Sequence, residues 1–381
     1  MSKRNLPLGT RDELGPAMAR KQQIIQTIQT TFSQQGFAPV KTPVLEYADV
    51  FTGMNGGNLG TYSLPAEEEQ LVLRPDLTMP IARVMSTTGI VPPVKLSYSG
   101  DVFRRHKRHT GGYDQITQAG IEIIGYPGSK AEEECLLLAG QLCTQLQIKQ
   151  FTIELGNAGF VDAVLAALPL AEPARAELKQ ALIAKNLSTY QDRIKPLVNS
   201  PYADFLQNWP WLFGPLDTVL AQVEKLPETP GVAAILADLQ RVAAFLKRYV
   251  PNAEVTLDLC SSAPQPYYTG LSFHAYAAAG DYLFSGGRYD RLLASFQQTP
   301  LAAVGFAFDV DALVASVPVQ DASPQQLVYF TEDQWLAAQQ YVAKRPNATL
   351  CLATSLAAAQ QQADQQQAQL IDLSSQEETN A

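Results

Sequence analysis

Residues 94–125, VKLSYSGDVFRRHKRHTGGYDQITQAGIEIIG, contain the pattern that decides the fold. Residues 94–105 and 115–125 each alternate polar and apolar side chains, which is the period of a β-strand. The segment 106–114 contains Gly-Gly and is too short for a crossover helix. The two strands are therefore predicted to pair as an antiparallel hairpin.

The hairpin is predicted to carry a polar face with two gaps in it. Side chains alternate along a strand, so Gln118, Gly120 and Glu122 share one face of the second strand. On the first strand, Gly100 shares a face with Arg104. A glycine in mid-strand leaves room for another group to approach closely, which favours the floor of a ligand pocket. A face that is polar because it is exposed to water stays open as the alternative.

The turn of the hairpin is unusually basic. Residues 99–109 hold four basic side chains and two of the chain's three histidines, His106 and His109. The formal net charge of the whole chain is −9, which argues against broad binding to phosphate backbones. Neighbouring cations disfavour a metal at the two histidines. The pattern favours one wall of a pocket for a small ligand, with Arg104 facing that pocket.

The composition indicates a cytoplasmic globular protein of two or three domains. The 381 residues are 46% hydrophobic and 17% charged, which provides ample apolar material for a core. The four cysteines are scattered without a C-x-x-C pair, which fits buried thiols in a reducing compartment. The N-terminus lacks the apolar core of a signal peptide, and no apolar run predicts a membrane helix.

The periodicities divide the chain into three predicted domains. Residues 1–157 and 251–322 form a discontinuous sheet domain. Residues 158–250, rich in Ala and Leu at helical spacing, form a helical insertion. Residues 323–381 form a small C-terminal α/β domain with a loose tail. Its Gln-rich segment 356–369 is either a helix or poorly ordered.

Two further segments add polar groups to the sheet. The stretch 266–276, PYYTGLSFHAY, is predicted as a strand that offers the hydroxyls of Tyr267 and Tyr268 to opposite faces. The stretch 285–293, SGGRYDRLL, contains two adjacent glycines, and a helix is predicted over 287–296. Adjacent glycines suit a close approach of another group to the backbone. No G-x-G-x-x-G or Walker sequence is found, so no nucleotide-binding loop is predicted.

These segments, in this order, resemble the histidyl-tRNA synthetase family over about residues 1–325. The resemblance implies an α+β fold, a class II aminoacyl-tRNA synthetase-like antiparallel sheet flanked by helices, which is usually dimeric. The helical insertion and a small C-terminal α/β remnant complete the predicted architecture. The segments that carry the resemblance are PLGTRDELGP, LVLRPDLTMPIAR, GDVFRR followed by GGYDQITQAGIEIIG, PYYTG, GGRYD and AVGFAFDVDAL.

The resemblance implies a pocket for histidine. Asp76 stands where the family has a Glu near the α-amino group, and Thr78 is kept. Arg104 is expected to attract the carboxylate. An equally open interpretation makes Asp76 and Thr78 helix-capping residues. The other positions that match residues holding histidine in the family are Gln118, Glu122, Tyr267, Tyr268 and Tyr289.

Three departures remove groups that act on ATP in the family. His106 stands in place of a Glu, and Ala312 in place of an Arg that clamps ATP. The family's Arg-Gly-Leu-Asp-Tyr-Tyr becomes APQPYY, which puts Ala263 at the catalytic Arg. Each lost arginine is worth about 3 kcal/mol of transition-state stabilisation, so aminoacylation is not expected.

A chain that keeps the ligand pocket of an enzyme family but lacks its catalytic groups is typical of a sensor. The combination resembles the synthetase-like regulatory subunits of ATP phosphoribosyltransferase, the first enzyme of histidine biosynthesis. The resemblance implies a non-catalytic subunit that dimerises, activates a short catalytic subunit in a hetero-octamer and mediates feedback inhibition by L-histidine. No cofactor, metal, membrane or nucleic-acid partner is expected. The alternatives are an active synthetase-like enzyme that activates an amino acid, and a tRNA-binding module.

Overall fold

The computed structural model describes residues 5–54, 60–65, 69–105, 112–227, 229–261, 263, 265–296, 299–318 and 325–375. The chain divides into two compact units, Met1–Val317 and Pro318–Ala381. No helix in these described ranges is long and apolar enough to cross a membrane.

The first unit consists of strands in two sheets and of helices that flank them. The strands are β1 (Ala38–Pro39), β2 (Leu45–Tyr47), β3 (Tyr62–Leu64), β4 (Leu71–Leu73), β5 (Val94–Phe103), β6 (Gln115–Ile124), β7 (Phe151–Asn157), β8 (Phe213–Pro215), β9 (Ala253–Asp258), β10 (Leu271–Ala277), β11 (Tyr282–Arg288) and β12 (Ala303–Asp309). The helices are α1 (Gly15–Gln34), α2 (Thr78–Thr87), α3 (Lys130–Gln145), α4 (Phe160–Ala167), α5 (Glu172–Ile183), α6 (Leu187–Ile194), α7 (Ala203–Asn208), α8 (Leu216–Val223), α9 (Pro230–Tyr249) and α10 (Val310–Ser316).

The larger sheet has the order β1-β5-β6-β12-β11-β10-β7-β9-β8. The central pairs, from β5–β6 through β10–β7, are antiparallel, whereas β1–β5 and β7–β9 are parallel. Strands β2, β4 and β3 form a separate antiparallel sheet. The predicted α+β fold, a mostly antiparallel sheet flanked by helices, is confirmed.

The hairpin of β5 and β6 lies within this sheet, and its two faces differ as predicted. Tyr98 pairs with Gly120, and Gly100 pairs with Gln118. On the apolar face, Ile121 is fully buried in the main core together with Ile28 of α1 and with residues of α3. The period of two thus leaves Gln118 and Glu122 on the other face of the sheet.

Helices α4–α9 contribute to the same core as the sheet. Tyr190, Trp209 and Leu246 belong to one buried cluster with Ile153 of β7. The indole N–H of Trp209 donates to the Leu259 carbonyl at 3.0 Å, directly after β9. The predicted helices of the insertion are therefore present, while the bounds of the three predicted domains stay a prediction.

Two predicted elements next to the sheet are wrong. The helix predicted over 287–296 is replaced by the end of β11, because Gly287 pairs with Gly305 in the ladder, and a short 3₁₀ turn at Leu292–Ser295 follows. The strand predicted from residue 266 begins only at Leu271, because a turn precedes it.

The second unit is a three-stranded parallel sheet with a helix on each face. Strands β13 (Gln326–Tyr329), β14 (Ala348–Cys351) and β15 (Gln369–Asp372) have the order β14-β13-β15. Helices α11 (Trp335–Ala343) and α12 (Leu356–Gln366) pack in separate apolar clusters. The Gln-rich stretch thus forms α12. The predicted loose tail lies mostly beyond Ser375, outside the described residues.

Candidate ligand-binding site

A cavity of about 160 Å³ opens on the polar face of the sheet. Pockets for drug-sized ligands have about 300–1,000 Å³, so this cavity suits a smaller molecule, such as an amino acid. It is lined by Asp76, Thr78, Tyr98, Arg104, Gln118, Glu122, Gln265, Tyr267, Tyr268, His274, Tyr282, Ser285, Tyr289, Gly305, Phe306 and Ala307.

All eight residues predicted for the pocket line this one cavity. They come from the start of α2 and the segment just before it, from the residue after β5, from β6, and from the segments before β10 and after β11. That they hold histidine stays a prediction. Eight further residues line the cavity that the sequence did not single out as site residues: Tyr98, Gln265, His274, Tyr282, Ser285, Gly305, Phe306 and Ala307.

Glu122 is a buried carboxylate at the floor of the cavity. It is 1% exposed, and its Oε1 accepts a hydrogen bond from the Thr78 hydroxyl at 2.7 Å. The Tyr289 hydroxyl donates to Oε2. Burial, together with the charge of Asp76, raises the pKa of the Glu122 carboxyl to about 8, although both hydrogen bonds favour the ionised form. The group can therefore change its protonation near neutral pH.

Glycines of two neighbouring strands make room for this carboxylate. Glu122 pairs with Gly305 of β12, which in turn pairs with Gly287 of β11. A Cβ on Gly305 would overlap the Glu122 carboxylate, and a Cβ on Gly287 would lie 2.8 Å from the ring of Tyr268. The two glycines form a trough across the sheet that holds the acid and one aromatic wall.

Asp76 contacts both the start of α2 and the cavity. Its Oδ1 accepts the Met79 N–H of the first turn of α2 at 2.9 Å, while Oδ2 accepts from the Tyr267 hydroxyl at 3.3 Å at the cavity. That Asp76 binds a ligand stays a prediction. Burial raises the pKa of this carboxyl, and the Met79 N–H and the charge of Arg104 oppose the rise. Arg104 donates from Nε to the Pro75 carbonyl at 2.7 Å, which holds its guanidinium at the same cavity.

Three tyrosines pack edge to face around the cavity. The ring centroids of Tyr267 and Tyr268 are 5.3 Å apart at 88°, and those of Tyr267 and Tyr289 are 5.8 Å apart at 81°. The prediction that Tyr267 and Tyr268 point to opposite faces is wrong. The Tyr268 N–H donates to the Gln265 carbonyl at 3.2 Å, and the resulting turn puts both rings at one cavity.

The two glycine gaps of the hairpin are filled by the protein itself. A Cβ on Gly100 would overlap the guanidinium of Arg74, which is 4% exposed and donates to the carbonyls of Thr42 at 2.7 Å and Asp101 at 2.8 Å. A Cβ on Gly120 would overlap the Phe306 carbonyl and approach the hydroxyl of Tyr98. Atoms of the protein itself therefore occupy both gaps, which leaves no room in them for a ligand.

The positions at which the family has ATP-binding groups carry other contacts here. Ala263 borders a small cavity of about 40 Å³ with Glu154, Asp258 and His274. The Ala312 N–H donates to the Asp309 carboxylate at 2.9 Å, which caps α10.

Asp311 is engaged by two ion pairs and a backbone hydrogen bond. It lies 2.7 Å from Arg11 and 2.6 Å from Lys21, and it accepts the Thr117 N–H at 2.8 Å. His106 and His109 lie within 106–111, outside the described residues. Among the residues that are described, no group of three or more His, Cys, Asp or Glu could hold a metal ion.

Comparisons with known proteins agree on a family. The histidyl-tRNA synthetase family model matches residues 9–313. Two proteins named ATP phosphoribosyltransferase regulatory subunit are similar to this chain over nearly their full length. The one from Lacticaseibacillus paracasei is 51% identical over 99% of both chains, and the one from Lactiplantibacillus plantarum is 44% identical over 98% of both.

Solved structures show the same likeness. A structure from Bacillus halodurans, described as an ATP phosphoribosyltransferase regulatory subunit/histidyl-tRNA synthetase, is 26% identical, with a TM-score of 0.81 over 98% of both chains. Histidyl-tRNA synthetase from Nostoc sp. PCC 7120 has a TM-score of 0.76 over 96% of this chain and 90% of its own. At 18% identity, that second likeness supports the class II fold alone.

Proposed function

The chain belongs to the family of ATP phosphoribosyltransferase regulatory subunits, and from this premise we propose that it is a non-catalytic sensor of L-histidine. In this proposal, ATP phosphoribosyl transfer takes place on a separate short catalytic subunit. This chain activates that subunit and makes it sensitive to feedback inhibition by histidine.

The observation that carries the proposal is the convergence of three ionisable groups on one small cavity. Asp76, Arg104 and Glu122 all line it, and its volume of about 160 Å³ suits an amino acid. Asp76 pairs with the α-ammonium group and Arg104 with the carboxylate. Glu122, held by Thr78 and Tyr289, accepts an imidazole N–H in its ionised form.

Two former ATP positions support a role without chemistry. At Ala263, the neighbouring cavity is bordered by the carboxyl groups of Glu154 and Asp258, which repel phosphate. At Ala312, the backbone N–H is already engaged by Asp309. Neither position offers a cation to the charge that develops on phosphate when an amino acid is activated.

Regulation requires that histidine bind two states of the assembly with different affinity. We propose that histidine binding in the cavity is coupled to the conformation of a catalytic subunit that binds a dimer of this chain. The complete assembly is a hetero-octamer with four subunits of each kind. Light scattering of the purified complex distinguishes this hetero-octamer from smaller assemblies.

The direct test is calorimetry of the purified full chain with L-histidine. Asp76→Asn should weaken binding about tenfold to a hundredfold, because a hydrogen-bonded charge pair is lost. Asp162→Asn is the matched control, since Asp162 is an exposed acid that pairs with Lys179 on the surface. If histidine binds neither to the chain alone nor to its complex with a short catalytic subunit, the sensor proposal is wrong, although family membership stands.

A second measurement addresses the partner. The chain should co-purify with a short ATP phosphoribosyltransferase catalytic subunit, raise its activity and confer inhibition by histidine. Histidine-dependent exchange between ATP and pyrophosphate by this chain alone would instead support the synthetase-like alternative.

A further inference from the structure

Gln265 leaves a hydrogen bond unmade at the wall of the cavity. Its side chain lines the cavity, and its Oε1 atom is buried with no hydrogen-bond partner among the residues that the structure describes. Only two other buried side-chain atoms in the described part of the chain share this condition, Arg175 Nε and Gln222 Oε1, and neither residue lines this cavity. A buried acceptor without a donor is unfavourable, and folded proteins contain few of them.

The local backbone explains why the amide stays at the cavity. The hydrogen bond from the Tyr268 N–H to the Gln265 carbonyl, at 3.2 Å, closes a turn of four residues. A polar atom that destabilises the empty site points to a ligand that completes it.

The same turn connects Gln265 to the acidic end of the cavity. Tyr267, two residues further on, donates its hydroxyl to Asp76 Oδ2 at 3.3 Å. The other oxygen of Asp76 already accepts the Met79 N–H at 2.9 Å. An ammonium group has three N–H donors, and one partly occupied carboxylate does not satisfy all of them.

We propose that Gln265 Oε1 accepts a hydrogen bond from the α-ammonium group of the bound amino acid, beside Asp76. This inference rests on the proposed function and adds a residue that determines specificity. It predicts that the site selects ligands that keep the α-amino group. A ligand without that group leaves the buried acceptor unpaired and is discriminated against.

The test uses three ligands and one variant. L-Histidine carries both an amine and a carboxylate, histidinol carries the amine only, and imidazolepropionate carries the carboxylate only. Gln265→Met keeps the length of the side chain and removes the acceptor. Calorimetry on the full chain should show histidine and histidinol binding about tenfold to a hundredfold more weakly, with imidazolepropionate changed less than about threefold.

A matched control is available within the same chain. Gln222→Met makes the same change at another buried amide without a partner, on α8 and away from the cavity. It should leave all three affinities unchanged. Gln265→Met should also keep or raise the unfolding temperature of the ligand-free chain, because an unpaired buried acceptor is removed.

Several results would overturn the inference. Equal weakening of all three ligands indicates a structural effect of the substitution. Weakening of histidine and imidazolepropionate but not of histidinol places Gln265 at the carboxylate instead. Unchanged affinities show that the amide makes no contact with the ligand. Any of these leaves the proposed function standing, whereas a wild-type chain that binds no histidine, either alone or in its complex with a short catalytic subunit, overturns both.

Discussion

Replacing Glu122 by Gln should remove a loss of stability that the wild-type chain suffers as pH rises. Glu122 is 1% exposed, and burial raises the pKa of its carboxyl to about 8. In the unfolded chain a glutamate titrates near about 4.3. Between these two values the folded chain keeps a proton that the unfolded chain has released. The stability contributed by this group is therefore complete below about pH 4 and falls as pH rises towards 8.

The size of the effect follows from the same two pKa values. Each tenfold difference in proton affinity is worth about 1.4 kcal/mol, so a pKa of about 8 corresponds to a destabilisation of about 5 kcal/mol at pH 9 relative to pH 4. Glutamine has nearly the same shape, stays neutral and remains within reach of Thr78 and Tyr289. Glu122→Gln should thus match the wild type within about 1 kcal/mol at pH 4.5 and exceed it by several kcal/mol at pH 9.

Urea unfolding of the full chain at pH 4.5, 6.5 and 9 measures this difference. Glu177→Gln is the control, because Glu177 is a surface acid on α5 whose side chain is 56% exposed. Its profile should run parallel to that of the wild type. Parallel profiles for the wild type and Glu122→Gln would refute the argument that burial controls this carboxyl.

Two further substitutions test the close packing at Gly305 and at Gly100. Gly305→Ala should destabilise the chain by about 1–3 kcal/mol, because its Cβ would overlap the Glu122 carboxylate. Urea unfolding measures this loss, with Gly128→Ala as the control, because a Cβ there would meet no described atom within 4 Å. Equal stabilities of the two variants would contradict the close packing at Gly305. Arg74→Met should lower the free energy of unfolding by about 3 kcal/mol, because it leaves buried carbonyl groups without hydrogen-bond donors. Arg20→Met, which removes one bond to a carbonyl at 3.1 Å, is the comparison, and a similar loss in both would count against this role.

The floor of the cavity could be predicted from the sequence because strand periodicity is a local signal. Alternation over 94–105 and 115–125 predicted two strands, and the observed β5 and β6 end within two residues of those bounds. The same alternation placed Gln118 and Glu122 on one face, where both line the cavity. The positions of Asp76, Thr78 and the tyrosines came instead from the order of motifs that resemble a known family.

Other parts of the site depend on contacts that no local pattern encodes. Arg74, from another part of the chain, occupies the gap at Gly100. A glycine in a strand therefore indicates that some group approaches closely, but it does not indicate which residue that is. His274 and Tyr282 come from β10 and β11, whose register shifts between Ala275 and Tyr276. Simple alternation fails across such an irregularity. Gln265 gives no sequence signal of a site, because an amide between two prolines indicates a loop and no particular contact.

The charges around the cavity favour a zwitterionic amino acid over a polyphosphate as its ligand. Among the described residues that line it, Arg104 is the one side chain with a permanent positive charge, against the carboxyl groups of Asp76 and Glu122. Arg11 and Lys21 are paired with Asp311 and Glu13. A polyphosphate would meet one cation and two acids, whereas each charge of a zwitterionic amino acid finds an opposite partner. Electrostatics therefore favour an amino acid over a polyphosphate in this cavity.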